Sequence, residues 1–268
     1  MLLLHGDCLE VMATLPDRSV DLFVCDLPYG CLATPKASTK EWSDYTEKTG
    51  KPRTLIREDK EKCSWDIKID LTQFWVQVKR LARDDHTPVL MFCTTKFGVE
   101  LINSNPDWFR YDLVWNKMRG VSFLSANKMP MRSHEMLYVF AKKGARYYRT
   151  DTEGDFPKSI AKNHRKNFYT GETMPNLLQD NTGKRCVLSI VDSSGYAIRK
   201  KGQHPTQKPD DLYEWLITRY SKEGDTVLDP TAGSFASVFT AERLGRSGIG
   251  IEKDEGFYNK AHAYSLTL

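Results

Sequence analysis

Short apolar runs alternate with segments of helical period along most of the chain, and this alternation restricts the fold more than any other feature. Val20–Cys25 and Pro88–Cys93 are largely apolar runs, typical of strands that are buried on both faces. Between them, residues 71–82 place their apolar side chains on one helical face. Parallel strands need a crossover of helix length. The sequence therefore predicts an open, mostly parallel α/β sheet with helices on both faces.

The same periodicity predicts further elements on either side of a polar central region. Strands are expected at 111–116, 135–140, 226–228 and 248–251, and helices at 99–102, 212–220, 234–244 and 255–265. Residues 143–203 lose this rhythm and are polar, basic and dotted with Gly and Pro. A stretch of this length without a periodic pattern usually carries function when it lies inside a compact domain.

A further strand is expected at Leu2–His5, and four of the predicted strands are each followed by an acidic residue, namely Asp7, Asp26, Asp229 and Glu252. In an open parallel sheet, ligands bind outside the carboxyl ends of the strands. If these four strands are neighbours, their carboxylates share one edge and repel one another, which a cationic or donor-rich ligand relieves. Each acid taken singly is explained more simply as a helix N-cap or a turn residue. The prediction therefore depends on all four acids together.

Composition narrows the class of protein. The 268 residues are 40% hydrophobic and 28% charged, which is typical of globular proteins. No apolar run is long enough to span a bilayer, and polar residues begin at His5, too early for a signal peptide. The six cysteines show no CxxC pair and no zinc spacing, which indicates reduced thiols and no metal site. We expect a cytoplasmic protein that does not bind membranes.

The distribution of charge is more informative than the net charge of +4, which is a small excess compatible with a polyanionic partner. Basic residues are concentrated in 36–62, 142–166 and 199–201. Acidic residues dilute the first band, so a solvated polar loop and a DNA-contacting loop explain it equally well. The two later bands contain fewer acids and favour contact with phosphates.

The segment that begins at Asp229 has a nucleotide-binding layout without a phosphate-binding loop. A strand, the loop Asp229–Phe235, a helix and a second strand lead to Glu252, the position that holds ribose hydroxyls in such units. The patterns G-x-G-x-x-G and G-x-x-x-x-G-K-[ST] are absent, which disfavours a nicotinamide dehydrogenase. A loop that begins with a carboxylate suits a nucleoside with a positive charge and no phosphate. S-adenosylmethionine meets both conditions.

An ordered set of short motifs covers most of the chain. The set comprises Gly6-Asp7-Cys8, Asp26-Leu27-Pro28-Tyr29, Trp65-Asp66, Trp115-Asn116-Lys117, His134-Glu135, His204–Pro209, Asp229–Ser234 and Gly250-Ile251-Glu252. In content and order this set resembles the β-class amino-DNA methyltransferases, which use S-adenosylmethionine to methylate the N6 of adenine or the N4 of cytosine. The resemblance implies a Rossmann-like methyltransferase fold with a circularly permuted motif order and a mostly parallel, seven-stranded sheet.

The resemblance also implies roles for individual residues. Asp26 and the Leu27 carbonyl would accept the hydrogens of the base amine, and Tyr29 would stack on the base. Asp7 and the Cys8 backbone would meet the cofactor adenine, and Glu252 its ribose. Thr206 and Lys208 would close on the methionine carboxylate. The other implied cofactor residues are Asp26, Asp229, Pro230, Thr231, Ala232, Gly233, Ser234, Phe235 and Lys253. Pro28 completes the catalytic motif, and Trp65 and Lys117 would lie beside the base, although Trp65 is explained equally well as a core residue.

Two positions depart from the family pattern. The usual catalytic tetrapeptide is D-P-P-Y, and Leu27 stands at its second position. Because that residue contributes its carbonyl, and because Pro28 keeps its backbone extended, we expect activity to survive. Phe235 stands where the family commonly has a second glycine, which is expected to narrow the cofactor pocket.

The resemblance favours adenine as the substrate base, since cytosine-N4 enzymes of this type more often carry serine at the position of Asp26. Cytosine-N4 methylation is the alternative among enzymes. A catalytically silent subunit that only binds nucleic acid is the alternative from another class. Double-stranded DNA is the expected partner, and members of the class commonly form homodimers.

The expected organisation has three parts. Residues 1–142 form a catalytic half, in which 31–64 is an inserted basic loop that closes on DNA over a flipped base. Residues 143–203 are the candidate target-recognition region, and residues 204–268 form the cofactor-binding half.

Overall fold

The computed structural model describes residues 1–30, 66–121, 126–149, 189–193 and 207–268. In this part of the chain, eight strands form one sheet: β1 (Leu2–His5), β2 (Leu22–Cys25), β3 (Val89–Cys93), β4 (Phe109–Val121), β5 (Arg132–Phe140), β6 (Ile190–Asp192), β7 (Thr226–Asp229) and β8 (Ser247–Glu252). Its α-helices are α1 (Cys8–Thr14), α2 (Leu71–Leu81), α3 (Thr95–Ser104), α4 (Asp210–Tyr220), α5 (Ala236–Arg243) and α6 (Glu255–Ser265).

The strands lie in the order β1-β8-β7-β2-β3-β5-β4-β6. The first five run parallel to one another, whereas β5 is antiparallel to both β3 and β4. This arrangement confirms the open, mostly parallel α/β sheet. Strand β5 is antiparallel because residues 122–131, between β4 and β5, are too few for the crossover that a parallel strand needs.

The sheet has one strand more than the seven expected. The additional strand is β6, which comes from the polar region 143–203 and pairs in parallel with β4 at the edge of the sheet. Three residues are too few to show a strand period, so this strand could not be predicted from the sequence. The division of the chain into a catalytic half, a target-recognition region and a cofactor-binding half stays a prediction.

The central strands are apolar throughout because helices cover both faces of the sheet. In β2, Phe23 and Cys25 belong to the core beneath α1, α2 and α3, whereas Leu22 and Val24 belong to the core beneath α4 and α5. The thiols of Cys25 and Cys93 are fully buried, as expected of small apolar side chains.

Two short connections start helices directly at the carboxyl edge of the sheet. Asp7 caps α1, because its carboxylate accepts a hydrogen bond from the Leu9 amide at 3.0 Å. The loop between β7 and α5 turns sharply, with left-handed backbone at Gly233 (φ 54°) and at Phe235 (φ 60°). Both connections therefore hold their residues close to the strand ends.

Several expectations lie outside the described residues: the basic loop 31–64, Trp65, Thr206 and most of region 143–203. Within the described ranges, no helix is long and apolar enough to span a membrane. The same ranges contain no group of His, Cys, Asp and Glu side chains arranged to hold a metal ion.

Candidate active site

Parallel pairing brings the four acids to one edge of the sheet. Because β1, β8, β7 and β2 are neighbours, Asp7, Glu252, Asp229 and Asp26 follow one another along their carboxyl ends. Asp7, Glu252 and Asp26 line a cavity of about 860 Å³, and Asp229 is buried at the start of the loop that forms one of its walls. The predicted grouping of acids from four separate strand ends is confirmed.

Glu252 is held in place by backbone amides. Its Oε2 accepts a hydrogen bond from the Gly233 amide at 2.7 Å, and its Oε1 accepts one from the Asp254 amide at 2.7 Å. Burial raises the pKa of Glu252, and these amides offset only part of the rise. Each carboxylate oxygen has a second lone pair, so the fixed carboxylate can still accept a ribose hydroxyl.

The sheet edge that carries Asp7, Glu252, Asp229 and Asp26 is called the acidic edge below. At its β1 end, Asp7 and Lys253 form an ion pair. The Lys253 ammonium lies 3.1 Å from Oδ2 of Asp7. Partial burial would raise the pKa of Asp7, but the hydrogen bond and charge of Lys253, together with the Leu9 amide, outweigh it and lower the pKa. Asp7 is therefore ionised, and the exposed Lys253 screens it from the other acids.

Asp229 is the most deeply buried of the four acids, with 2% of its surface exposed. Its Oδ1 accepts a hydrogen bond from the Thr231 amide at 3.1 Å, and its Oδ2 accepts one from the Ser237 hydroxyl. Burial raises the pKa of Asp229 to about 7, because these two hydrogen bonds offset only part of the desolvation and the charges of Asp26 and Glu252 add to it.

The loop after β7 is bonded to both neighbouring strands. The Thr231 hydroxyl donates to the Asp26 carbonyl at 3.1 Å, and the Ala232 amide donates to the Ile251 carbonyl at 2.8 Å. The Phe235 ring is fully buried, and a Cβ on Gly250 would lie 2.6 Å from its Cδ1. The ring thus packs into the core and does not narrow the cavity as expected. A contact of Phe235 with the cofactor stays a prediction.

The turn after β2 carries the predicted catalytic residues. The Tyr29 hydroxyl donates to Oδ1 of Asp26 at 2.8 Å, and the Tyr29 ring lies 5.2 Å from the ring of Phe97. Burial and the nearby charges of Asp26 and Glu135 hold the pKa of Tyr29 far above its usual value, so it stays a donor. The Leu27 side chain is buried in the core, at 2% exposure, within the same turn.

Lys208 forms two ion pairs inside the cavity. Its ammonium lies 2.5 Å from Oδ2 of Asp26 and 3.7 Å from Oε2 of Glu135, and its expected contact with the methionine carboxylate stays a prediction. Its side chain is only 6% exposed. Burial would lower the pKa of Lys208, but the two carboxylates outweigh burial and raise it, so the ammonium stays charged.

Glu135 is a site residue to which the sequence assigned no role. It lies opposite Trp115 in the β4–β5 register, and its Oε1 accepts a hydrogen bond from the Lys117 ammonium. Burial would raise the pKa of Glu135, but Lys208 and Lys117 outweigh it and lower the pKa. One sequence feature could have identified Glu135 as a candidate: it is an acidic residue at the start of an otherwise apolar run, Glu135-Met-Leu-Tyr-Val-Phe.

Most of the predicted site residues line the cavity at the acidic edge. Its lining includes Asp7, Cys8, Asp26, Leu27, Pro28, Tyr29, Lys117, Lys208, Pro230, Thr231, Ala232, Gly233, Ser234, Glu252 and Lys253. A volume of about 860 Å³ lies in the upper part of the range for small-molecule sites, about 300–1,000 Å³. It is large enough for a nucleoside-sized cofactor with a nucleobase beside it.

A family model described as DNA methylase, of the N6 and N4 type, matches residues 20–263. The chain belongs to this family. It is 25% identical over 269 residues to the type II methyltransferase M.HinfI of Haemophilus influenzae, a match that covers 97% of this chain and 66% of that protein. The chain thus spans just under two thirds of the length of that relative.

Solved structures of two other proteins share this fold. The PvuII DNA methyltransferase, described as cytosine-N4-specific, has a TM-score of 0.61 at 15% identity, with 97% of this chain and 84% of that chain covered. The M1.HpyAVI complex with S-adenosylmethionine has a TM-score of 0.58 at 17% identity, with 98% of each chain covered. S-adenosylmethionine is the cofactor of the family, and an acidic edge around a nucleoside-sized cavity fits it.

The pKa of Asp229 predicts how stability depends on pH. The unfolded chain releases this proton near pH 3.8, whereas the folded protein keeps it up to about pH 7, so folding stability falls as pH rises between these values. We expect Asp229→Asn to flatten this fall. At pH 8 it should raise the free energy of unfolding relative to wild type, by at most about 4 kcal/mol.

Urea denaturation from pH 4 to pH 8 measures this effect, and exposed Asp107→Asn is the matched control, which should leave the profile unchanged. Parallel profiles for Asp229→Asn and wild type would contradict the raised pKa.

Proposed function

We propose that this protein transfers the methyl group of S-adenosylmethionine to the N6 amine of an adenine in double-stranded DNA, at specific sites and with the adenine flipped out of the duplex. The observation that supports this most strongly is the junction of two functional segments in one cavity. The acidic edge and the Asp26–Tyr29 turn line the same cavity, and the Thr231 hydroxyl bonds one to the other at 3.1 Å.

The chemistry asks for hydrogen-bond acceptors and not for a strong base. An exocyclic base amine is a weak nucleophile because its lone pair is delocalised into the ring. Acceptors that draw both N–H bonds out of the ring plane localise the lone pair and aim it at the methyl donor. We assign the Asp26 carboxylate to one N–H and the Leu27 carbonyl to the other. The methylated amine carries a positive charge until one N–H proton passes to Asp26 or to water.

Tyr29 is suited to support one face of the base. Its ring is half-buried against Phe97, and its hydroxyl is tied to Asp26, so the ring has a fixed orientation before a base arrives. Stacking on such a ring compensates part of the few kcal/mol that flipping costs.

The acidic edge would hold the cofactor. We assign Glu252 to the ribose hydroxyls, Asp7 and the Cys8 backbone to the adenine ring, and the Pro230–Ser234 loop to the methionine end. When bound, the cofactor supplies an electrophilic methyl group on a sulfonium. The carboxylates of Asp7, Asp26 and Glu252 favour a ligand with that positive charge.

A basic hairpin that borders the cavity is our candidate for the DNA-facing surface. The described residues from Lys117 to Arg132 in β4, β5 and their connection include four cationic side chains and no acid. Lys117 and Arg132 line the cavity itself, and Lys128 is exposed. Cations on this hairpin would suit a polyphosphate backbone whose base enters the cavity. Region 143–203 and loop 31–64 remain proposed for target recognition and closure.

The decisive experiment is the identity of the methylated base. Unmodified DNA incubated with the protein and S-adenosylmethionine should yield N6-methyladenine when it is digested to nucleosides and measured by mass spectrometry. N4-methylcytosine would overturn the adenine assignment. DNA binding without any methyl transfer would identify a catalytically silent subunit instead. Sequencing the modified positions would then give the recognition sequence.

Asp26→Ala tests the assigned acceptor. We expect methyl transfer to fall at least 1,000-fold, or about 4 kcal/mol in the barrier, because the amine loses its charged acceptor. Cofactor affinity measured by calorimetry should stay within about threefold of wild type. Asp26→Asn keeps an acceptor of the same shape and is expected to retain more activity than Asp26→Ala. Near-normal turnover in Asp26→Ala would refute the role.

Lys128→Ala and Arg132→Ala test the basic hairpin. Each lost phosphate contact should reduce the slope of log affinity against log salt concentration by about 1 and weaken DNA binding across sequences. Lys222→Ala is the matched control, since this exposed lysine precedes β7 at the opposite, amino edge of the parallel strands. If the hairpin variants and Lys222→Ala show the same salt slope, the hairpin is not the DNA-facing surface.

A further inference from the structure

A buried ammonium stands between two carboxylates at unequal distances. The Nζ of Lys208 is 2.5 Å from Oδ2 of Asp26 and 3.7 Å from Oε2 of Glu135. The first distance is a charged hydrogen bond, and the second is too long for one. Oε2 of Glu135 is buried and has no hydrogen-bond partner in the described part of the chain.

This arrangement conflicts with the acceptor role of Asp26. The Tyr29 hydroxyl donates to Oδ1 of Asp26 and the Lys208 ammonium donates to Oδ2, so both oxygens already serve protein donors. Each oxygen keeps a second lone pair, but an ammonium bonded to Asp26 weakens this carboxylate as an acceptor and repels an amine that becomes cationic. The amine therefore competes with Lys208 for Asp26, and Lys208 is the donor with a second acceptor at hand.

We propose that Lys208 is a positioning residue that passes from Asp26 to Glu135 when the base amine binds. This inference rests on the proposed function, because it concerns how the same site receives its amine. In the empty site Lys208 fixes the Asp26 carboxylate, and in the loaded site Glu135 holds the ammonium while the amine takes Oδ2 of Asp26. No covalent bond changes, and one hydrogen bond is exchanged for another.

The geometry makes the transfer small. A charged N–H···O bond has a heavy-atom distance of about 2.8 Å. The ammonium therefore has to move about 1 Å to bond Oε2 of Glu135, now 3.7 Å away. The four-carbon stem of lysine allows such a shift by rotation about its own bonds.

Glu135 is held in place as a waiting acceptor. The Lys117 ammonium bonds its other oxygen, Oε1, and the residue sits in the paired part of β5 opposite Trp115. Lys117 in turn lies 5.0 Å from the centre of the Trp115 ring. The carboxylate therefore keeps its orientation when Lys208 arrives, and the oxygen that faces Lys208 accepts no hydrogen bond from the residues that the structure describes.

Charge is balanced in both positions of Lys208. Two cations, Lys117 and Lys208, face two anions, Asp26 and Glu135, so moving the ammonium leaves no buried charge without an opposite charge nearby. The move also removes a positive charge from the side of Asp26 where the amine becomes cationic. Both effects favour the exchange once the amine has bound.

A double-mutant cycle separates this exchange from a static ion pair. We expect Glu135→Gln to keep Lys208 on Asp26 and to lower kcat at least tenfold, with cofactor affinity by calorimetry within about twofold of wild type. Lys208→Met leaves Asp26 accessible but less well oriented, so kcat should fall less. The double variant Glu135→Gln/Lys208→Met should then be faster than Glu135→Gln alone. The reactions use full-length protein and unmodified DNA, with KM for DNA measured alongside kcat.

A static ion pair predicts no gain in kcat from the second substitution, because removing both partners would leave the double variant at least as slow as the slower single variant. That result would overturn the exchange. If thermal denaturation shows Lys208→Met to be unfolded, Lys208→Gln takes its place in the same cycle. Glu214→Gln, which removes a partner from the exposed Arg243–Glu214 pair, is the matched control and should leave kcat unchanged.

Product analysis keeps the two proposals apart. If wild type yields N6-methyladenine but the double variant is no faster than Glu135→Gln, only the exchange is overturned. If wild type yields N4-methylcytosine and the double variant is faster than Glu135→Gln, the adenine assignment is overturned and the exchange is supported. A wild-type protein that transfers no methyl group overturns both.

Discussion

Parallel pairing of β1, β8, β7 and β2 is the constraint on which the rest of the site depends. It places the carboxyl ends of four strands side by side, and each end delivers an acid although those acids are far apart in sequence. The 3.1 Å hydrogen bond from Thr231 to the Asp26 carbonyl then joins the last part of the chain to the first. The loop after β7 and the turn after β2 therefore border the same cavity.

Four carboxylates on one edge repel one another, and the protein relieves the repulsion differently at each. Lys253 pairs with Asp7, Lys208 pairs with Asp26, and two backbone amides bind Glu252. Asp229 is buried and forms no ion pair with any residue that the structure describes, and its raised pKa of about 7 means that protonation relieves the repulsion there. These contacts reduce the repulsion at the acidic edge in the absence of a ligand. A positively charged ligand would reduce it further.

The sequence was sufficient for the features that local pattern determines. Strand β2 and helix α6 are visible as periodicity, and Asp26 and Glu252 are visible as acids that end apolar runs. It was insufficient where a partner is set by tertiary contact. Lys208 reaches Asp26 across 182 residues of chain, and β6 gains its place only by pairing with β4. The role of Glu135 depends on two lysines from different elements, Lys117 in β4 and Lys208 just before α4, which no spacing in the sequence connects.

The departure at Leu27 shows why some positions in such a motif vary and others do not. The Leu27 side chain is only 2% exposed and packs into the same core as β2, so it takes up core volume and leaves the backbone path of the turn unchanged. The carbonyl is present in every residue, and a buried apolar side chain at this position changes packing without changing the acceptor. Asp26 has no such freedom, because its carboxylate is bonded through both oxygens and carries the charge that balances Lys208. A substitution at position 27 therefore changes mainly core packing. A substitution at position 26 removes the ion pair with Lys208 and, in the proposed function, the acceptor of the base amine.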